Sequence, residues 1–379
     1  MNNKLFIWSI TLLVVFLMSS CKDSEKGQRI CIPSSCVNEI PLSEVADKVD
    51  YIALESKKEC MLSDWADIFM TKEYIVAIDK EIYLFDKTGK FLRKIGRKGQ
   101  GPDEYISTMG TSFYINYSSV VADKGNAWIE YSCSETVPFS LIQKPDVKSF
   151  MRFSANTKTH EELSMFIQPI LYSMKLDTNL YAGYLHNIDG HNPYKLLYYQ
   201  KDGTVVKQYP NYLHFEDNPN NIAQYQPSFY SYNGQCYFKE MFNDTLFVMK
   251  ETELQPYLIF DLGENNLPYE QQDQIEDMSR YKQFRLIGET DSHLYFIYDY
   301  DSKRYTGIIN KTNFEVKVSE DGFVDDIVNT FSLTPNLIYE KEMLCVLSAL
   351  QIGTTPSLSK NFESLKEDDN PVVAIVSLK

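Results

Sequence analysis

The chain has 379 residues, of which 44% are hydrophobic, 14% aromatic and 23% charged, and its net charge is −15. This composition excludes an intrinsically disordered chain, because 27 Tyr and 22 Phe supply enough apolar surface for a sizeable core. The acidic charge argues against a nucleic-acid partner, because phosphate binding requires a basic surface.

The N-terminal segment predicts export and a lipid anchor. A short basic region precedes an apolar stretch, residues 5–18, that is too short to span a membrane. The stretch ends in Leu17-Met18-Ser19-Ser20-Cys21, which resembles the lipobox of bacterial lipoproteins, with Met18 where Leu, Val or Ile is usual. The resemblance implies removal of residues 1–20 as a signal peptide and a diacylglyceryl group on Cys21. The alternative is an ordinary signal peptide with a cysteine nearby.

Residues 21–40 lack periodicity, and we expect them to form a lipid-anchored tether before a single domain at 41–379. Cys31 and Cys36 are candidates for a disulfide, which an extracytoplasmic compartment permits. The other cysteines, at 60, 133, 236 and 345, are scattered in apolar runs and are expected to be small buried residues. The chain has no CxxC pair, so we predict no structural zinc, and we expect no cofactor.

A turn motif recurs five times after the tether. Each copy has an apolar residue, a polar residue, usually a lysine, and turn-forming residues. The copies lie at 85–89, 142–146, 199–203, 249–253 and 309–313, so their last positions are 57, 57, 50 and 60 residues apart. An interval near 56 residues accommodates four strands and their turns. Four-stranded units repeated radially form a β-propeller.

The span from residue 49 to residue 378 is 330 residues, and 330/56 is close to six. The sequence therefore predicts an all-β fold, a six-bladed β-propeller of four-stranded antiparallel blades whose ring is closed by the N- and C-terminal strands. The expected strands are 67–70, 74–79, 82–85 and 91–95; 111–116, 120–123, 128–132 and 139–142; 169–176, 181–186, 195–199 and 204–209; 230–232, 235–240, 245–249 and 257–261; 284–289, 293–298, 305–310 and 315–319; and 337–339, 343–349, 372–378 and 49–54. Residues 268–282 and 357–367 are expected to be helical, and 155–168 to be a polar segment with a short helix.

Several segments, together with the lipobox, resemble the six-bladed β-propeller lipoproteins of Bacteroidetes, which are relatives of the NHL and TolB-like propellers. They are Ile40-Pro41-Leu42-Ser43-Glu44, Phe85-Asp86-Lys87-Thr88-Gly89-Lys90-Phe91, the glycine-rich stretch 95–105, Phe242-Asn243-Asp244-Thr245-Leu246-Phe247 and Glu367-Asp368-Asp369-Asn370-Pro371-Val372. The resemblance implies a fold over the whole mature chain and implies little about activity.

Two loops carry candidate binding residues. The stretch 96–102 is glycine-rich and basic, but it lacks the P-loop pattern and a following helix, so a crossover between blades is favoured. Arg97, Lys98 and Glu104 are then candidates for a binding rim. His186 and His191 flank an Asp-Gly turn; a turn with exposed imidazoles is favoured over a metal site, and both are candidates for a rim or channel.

No residue set predicts catalysis, because GxSxG is absent and acidic clusters such as 367–369 are typical of solvated turns. The sequence therefore favours a lipid-anchored propeller at the cell envelope, in the outer membrane, that binds a glycan, a peptide or an envelope protein without catalysis. One alternative is a glycan lyase or hydrolase that uses channel carboxylates and tyrosines. Another is a purely structural subunit of an envelope complex.

Overall fold

The computed structural model describes residues 27–33, 39–71, 73–97, 112–115, 127–132, 148–154, 160–165, 170–177, 179–185, 187, 191–200, 204–212, 214, 227–241, 243–268 and 278–379. For residues 112–115, 127–132, 148–154, 160–165 and 170–173 it describes the backbone alone.

Strands dominate the fold. The N-terminal elements are β1 (Gln28–Cys31), β2 (Ile40–Pro41), α1 (Leu42–Val45) and β3 (Ala46–Ala53). Sheet 1 contains β4 (Asp67–Met70), β5 (Tyr74–Ile78), β6 (Ile82–Asp86) and β7 (Phe91–Ile95). Sheet 2 contains β8 (Ser112–Ile115), β9 (Ala127–Ser132), β10 (Lys148–Ser154) and β11 (His160–Met165). Sheet 3 contains β12 (Ile170–Lys175), β13 (Leu180–Leu185), β14 (Tyr194–Gln200) and β15 (Val205–Pro210).

The second half of the chain continues the series. Sheet 4 contains β16 (Ser228–Tyr232), β17 (Gln235–Lys239), β18 (Thr245–Lys250) and β19 (Glu253–Asp261), with β1 as a fifth strand beside β19. Sheet 5 contains β20 (Gln283–Glu289), β21 (His293–Tyr300), β22 (Lys303–Asn310) and β23 (Val316–Ser319). In a small sheet, β24 (Phe323–Val324) lies between β2 and β25 (Ser332–Leu333). Sheet 6 contains β26 (Leu337–Tyr339), β27 (Glu342–Leu347), β28 (Val372–Leu378) and the early strand β3.

Among the described residues, helices are short. Besides α1, they are α2 (Ala349–Gly353), α3 (Pro356–Ser359) and 3-10 turns at Gly263–Asn265 and Met278–Arg280. The predicted helix at 357–367 was therefore too long: Pro356 begins a single helical turn, and the backbone N–H of its C-cap residue Lys360 donates to the Leu358 carbonyl oxygen before further turns follow. Of the predicted helix at 268–282, residues 269–277 lie outside the described residues.

The four main strands of each numbered sheet are antiparallel to their neighbours, as in a propeller blade, and the two ends of the sheet differ. At one end, which we call the hairpin end, lie the turn between the first and second strands and the turn between the third and fourth strands. The other end, with the turn between the second and third strands and the connections to other sheets, is the loop end. In sheet 1, the pairs Asp67↔Ile78, Ile78↔Ile82 and Ile82↔Ile95 mark the loop end.

Strands occur at every predicted position in sheets 1, 3, 4, 5 and 6, but sheet 2 differs from the prediction. Its third and fourth strands are β10 and β11, paired from Lys148↔Met165 to Phe153↔His160. The segment expected to be polar or helical at 155–168 thus contains a strand, and the turn copy at 142–146 precedes the third strand instead of following it. A strand at the edge of an antiparallel sheet tolerates polar residues such as Glu161 and Glu162, so its alternation of apolar and polar residues is too weak to predict a strand. The predicted strands at 120–123 and 139–142 lie outside the described residues.

Buried side chains lie between neighbouring sheets. Sheet 1 packs on sheet 6 around Tyr339 and Leu344, and sheet 6 packs on sheet 5 around Tyr295. Other clusters join sheet 4 to sheet 5 and sheet 3 to sheet 4. The run Ile82–Phe85 is buried on both faces, as an unbroken apolar run predicts for a strand stacked between other sheets.

The N-terminal strands join sheets formed much later in the chain. The predicted pairing of the N-terminal strand with the C-terminal strand is confirmed: β3 is antiparallel to β28, from Val372↔Ala53 to Leu378↔Ala46. The strand β1, which the sequence did not predict, is parallel to β19. Two elements of the segment expected to be a tether therefore pair with sheets, namely β1 and the first residue of β2.

Lys239 is a buried lysine whose ammonium group hydrogen-bonds to a backbone carbonyl oxygen. Lys239, at the loop end of sheet 4, is 1% exposed. Its Nζ donates to the Glu240 carbonyl oxygen at 2.9 Å and lies 5.2 Å from the centre of the Phe284 ring. Burial lowers the pKa of Lys239 to about 7.

The contact between sheets 5 and 6 yields a first prediction. A Cβ added at Gly288 would lie 2.5 Å from the Cβ of Ile338, an atom close to the backbone that cannot move away cheaply. We expect Gly288→Ala to lower the free energy of unfolding by about 1–3 kcal/mol. Gly353→Ala, where an added Cβ meets nothing within 4 Å, is the control and should leave it nearly unchanged. Urea unfolding checks both; equal effects would contradict the tight contact.

Lys239 yields a pH prediction. Its folded pKa of about 7 lies below the unfolded value near 10.4, so between these values the unfolded chain binds more protons and stability rises with pH. Below pH 7 the full cost of burying the charge is present. Lys239→Met removes that cost, so we expect it to stabilise the fold by about 4 kcal/mol at pH 6.5 and by about 1 kcal/mol at pH 9.5.

Urea unfolding across this pH range measures the difference. The exposed Lys250→Met, in the same sheet, serves as the control and should show no such trend. A stability difference for Lys239→Met that does not change with pH would contradict the lowered pKa.

Candidate functional site

A rigid loop at the loop ends of sheets 6 and 1 presents a nearly fully exposed tryptophan. We call residues 54–66, which connect β3 to β4, the Trp65 loop. Trp65 is 89% exposed, and Met61 in the same loop is 42% exposed. A tryptophan held in solvent presents a large, flat apolar face that a ligand could cover.

The buried amide of Asn370 holds this loop. Its Oδ1 accepts from the Leu62 N–H at 2.8 Å, and its Nδ2 donates to the carbonyl oxygens of Glu55 and Cys60 at 2.8 and 2.9 Å. Asn370 lies two residues before β28, so sheet 6 carries the support. Three hydrogen bonds from one side chain fix the backbone on both sides of Cys60.

A second support comes from sheet 1. The Asp79 carboxylate, in the turn between β5 and β6, accepts from the Ser63 N–H at 2.9 Å and from its hydroxyl at 2.7 Å. Ser63 is two residues before Trp65. The loop is therefore held at its middle by sheet 6 and near its end by sheet 1, and the tryptophan is presented on a fixed backbone.

The same loop also carries charged side chains. An open cavity of about 510 Å³ lies beside the exposed Lys57, Lys58 and Glu59. Lys57 forms an ion pair of 2.6 Å with Glu55. The hydrogen bonds from Lys57 and from the Phe91 N–H hold the pKa of the Glu55 carboxyl below its usual value, so Glu55 stays ionised near neutral pH. The loop thus carries an exposed aromatic face at Trp65 and, at residues 55–59, both donors and acceptors of hydrogen bonds.

The chemistry of this arrangement suits binding. An exposed indole stacks on flat apolar faces such as the C–H face of a sugar ring, and the charged groups can hydrogen-bond hydroxyls. Within the described residues, no group of three or more His, Cys, Asp or Glu side chains could hold a metal ion. In that same part of the chain, no helix is long and apolar enough to cross a membrane.

The residues predicted from the sequence are placed as follows. Arg97 is exposed two residues after β7, at the loop end of sheet 1, which is the end that carries Trp65. His191 is exposed between β13 and β14, at the loop end of sheet 3. Cys31 is exposed at the end of β1. Lys98, Glu104, His186, Cys36 and Cys21 lie outside the described residues, so the lipidation, the disulfide and the shared rim stay predictions.

Trp65, Lys57 and Lys58 were not among the site residues predicted from the sequence. The available signal was modest: Trp65 is one of three tryptophans and lies in Ser63-Asp64-Trp65, outside the alternating pattern of the strand that follows. Its exposure depends on how sheets 1 and 6 support the loop, which the local sequence does not reveal.

Comparison with solved structures supports the fold. A protein of Bacteroides fragilis NCTC 9343 described as exported is similar at 16% identity, with a TM-score of 0.63, over 93% of this chain and 100% of that one. Two similarities are too distant to carry an argument. The WD40 domain of Toxoplasma gondii coronin has 11% identity and a TM-score of 0.38, over 90% of this chain and 88% of that one. The β-propeller domain of a Pyrococcus furiosus protease has 9% identity and a TM-score of 0.33, over 66% and 67%.

No curated protein matches this sequence. A family model does match, and it spans residues 29–377, which is nearly the whole described chain from β1 to β28. The chain therefore belongs to the family described as domain of unknown function (DUF4934).

Proposed function

We propose that this protein is a lipid-anchored binding protein of the cell envelope, located at the outer membrane, that binds carbohydrate at the Trp65 loop without chemical turnover. The observation that carries the proposal is the 89% exposure of Trp65 on a backbone fixed by Asn370 and Asp79. A carbohydrate that covers one face of the indole removes on the order of 100 Å² from water, worth about 2 kcal/mol.

A closed ring of six blades is part of the proposal. The first strands of neighbouring sheets lie side by side: β8 with β12, β16 with β20, β20 with β26, and β26 with β4. First strands that meet in this way are expected where sheets surround a common axis. The pairing of β3 with β28 supports closure, because it supplies the fourth strand of sheet 6 from the other end of the chain.

Contacts between sheets indicate a common orientation. At the hairpin ends, Tyr232 donates to Asp291 at 2.7 Å and Lys87 pairs with Glu342 at 3.0 Å. At the loop ends of sheets 3 and 4, Lys195 pairs with Glu240 at 2.5 Å. A shared orientation would put the Trp65 loop, Arg97 and His191 on one rim of the ring.

The location rests on the N-terminal segment. The lipobox-like Leu17-Met18-Ser19-Ser20-Cys21 supports cleavage and acylation at Cys21, and dual acyl chains give stable anchoring without a spanning helix. The description of the Bacteroides fragilis protein as exported fits this location.

The Trp65 loop yields a binding prediction. We expect the mature protein to bind members of a glycan panel, and Trp65→Ala to weaken the best interaction about 30-fold, which corresponds to about 2 kcal/mol. Tyr212→Ala is the matched control, because Tyr212 is 77% exposed but lies after β15 in sheet 3. Calorimetry measures affinity and unfolding checks that both variants fold.

Three outcomes would contradict the proposal. Equal weakening by both variants would contradict binding at the Trp65 loop. Release of cleaved sugar products would favour the alternative of a glycan-degrading enzyme. Capture of an envelope protein without any glycan binding would favour a scaffold.

Asn370 yields a second prediction. Asn370→Ala leaves the N–H of Leu62 and the buried carbonyl of Cys60 without their partner, so we expect the free energy of unfolding to fall by about 2–4 kcal/mol. Glycan affinity should fall too, although Trp65 is unchanged, because the loop loses its support. Asp368→Ala, an exposed neighbour, is the control for both measurements. Unchanged affinity in a folded Asn370→Ala protein would mean that a fixed loop is unnecessary.

A further inference from the structure

We infer that β1 is the edge of the domain next to the membrane, and that it holds the outer edge of sheet 4 against the lipid surface. The inference rests on the lipid anchor of the proposed function. Its structural basis is the docking of β1, which turns part of the expected tether into a strand of the folded domain.

The docking of β1 begins at residue 27 and is continuous. Its register with β19 runs from Gln28↔Leu258 to Cys31↔Asp261, and the Ile32 N–H then donates to the Asp261 carbonyl at 2.9 Å. Gly27 already lies against β19, because a Cβ there would be 3.1 Å from the Tyr257 carbonyl oxygen. The backbone of this segment is therefore part of the sheet.

Side chains attach β1 to the core. Ile30 and Ile32 are buried in the cluster between sheets 4 and 5, together with Phe260 and Phe284. The Lys282 Nζ donates to the Pro33 carbonyl oxygen at 3.3 Å. Full burial of an isoleucine stabilises the folded state by about 2 kcal/mol. Two buried isoleucines therefore offset much of the conformational entropy that β1 loses when it docks.

The length of chain between the lipid and β1 sets a distance. From Cys21 to Gly27 there are 27 − 21 = 6 steps between Cα atoms, which span at most about 22 Å. A tether reaching to Ile40 would have 40 − 21 = 19 steps and would span about 68 Å. Docking of β1 shortens the connection to roughly a third, and keeps the outer edge of sheet 4 close to the bilayer.

The position of β1 leaves the Trp65 loop away from the lipid. The first strand of sheet 4 contacts that of sheet 5, the first strand of sheet 5 contacts that of sheet 6, and the first strand of sheet 6 contacts that of sheet 1. Sheet 1 adjoins this loop and is thus three sheets away from sheet 4. A domain of this size is about 50 Å across. Anchoring through sheet 4 therefore places sheet 1 on the far side, where an external ligand has access.

Energy transfer to the membrane tests the inference. The full-length lipoprotein is placed in nanodiscs that contain a headgroup-labelled acceptor lipid, and an azide-bearing residue at position 250 or 80 takes the donor dye. Lys250 is exposed in sheet 4 and Lys80 is exposed in sheet 1. We expect at least about twofold higher transfer efficiency from position 250 than from position 80.

Changes to the connection sharpen the test. A Gly-Ser insert of about twelve residues between Lys26 and Gly27 lengthens it without altering β1, and should lower transfer from position 250. The same insert between the exposed residues Glu367 and Asp368 is the control and should leave transfer unchanged. Ile30→Asn with Ile32→Asn, which releases β1, should act like the first insert if circular dichroism shows a folded domain.

The outcomes separate the inference from the proposed function. Acylated protein with equal transfer from both positions, or with no response to the insert at Lys26, overturns the inference alone. Protein that mass spectrometry shows to carry no acyl chain overturns the lipid anchor and the inference with it. Glycan binding by the soluble domain is measured separately and depends on neither.

Discussion

Burial of both faces of the central strands in sheets 1 and 3 to 6 is the constraint on which the described structure depends. Strands such as Ile82–Asp86 and Val372–Leu378 are apolar on successive positions, so neither face can remain in water. Neighbouring sheets supply the cover, with aromatic contacts such as that of Phe260 in sheet 4 with Phe284 in sheet 5, whose ring centres lie 4.8 Å apart. A sheet of this kind has no stable structure alone, which is why the sheets form one continuous series.

A charged side chain between two sheets is buried as well, and its charge must therefore be compensated there. Glu289 lies between sheets 4 and 5 with no exposed side-chain surface, and it accepts hydrogen bonds from Tyr230 at 2.9 Å and Tyr257 at 3.0 Å while Lys311 pairs with it at 2.6 Å. A buried carboxylate is tolerated only with such complete satisfaction. The carboxylate and the two phenols are therefore a structural connection between the sheets. The surface loops, in contrast, keep charges and Trp65 in solvent, where they can meet a ligand.

The sequence predicted the sheets better than the site. Alternation and turn chemistry locate strands such as Tyr74–Ile78, because both signals are local. In sheet 2, residues 142–146 have the composition of the repeated turn, yet they precede the third strand instead of following it. Many short polar segments share this composition, so it does not identify which two strands a turn connects. The strand Gln28–Cys31 is too short to show a period, and its stability comes from contacts with sheets 4 and 5. The exposure of Trp65 depends likewise on Asn370, about 300 residues away, which no local pattern records.

The pairing of β3 with β28 has a consequence for the kinetics of folding. Ala53 and Val372 are partners across 372 − 53 = 319 residues, so closing this loop costs about 4 kcal/mol more entropy than closing a four-residue hairpin. Folding of sheet 6 must wait until the last strand has been synthesised, and contacts of such sequence separation form slowly. Sheet 6 is therefore completed only after the chain through Leu378 has left the ribosome.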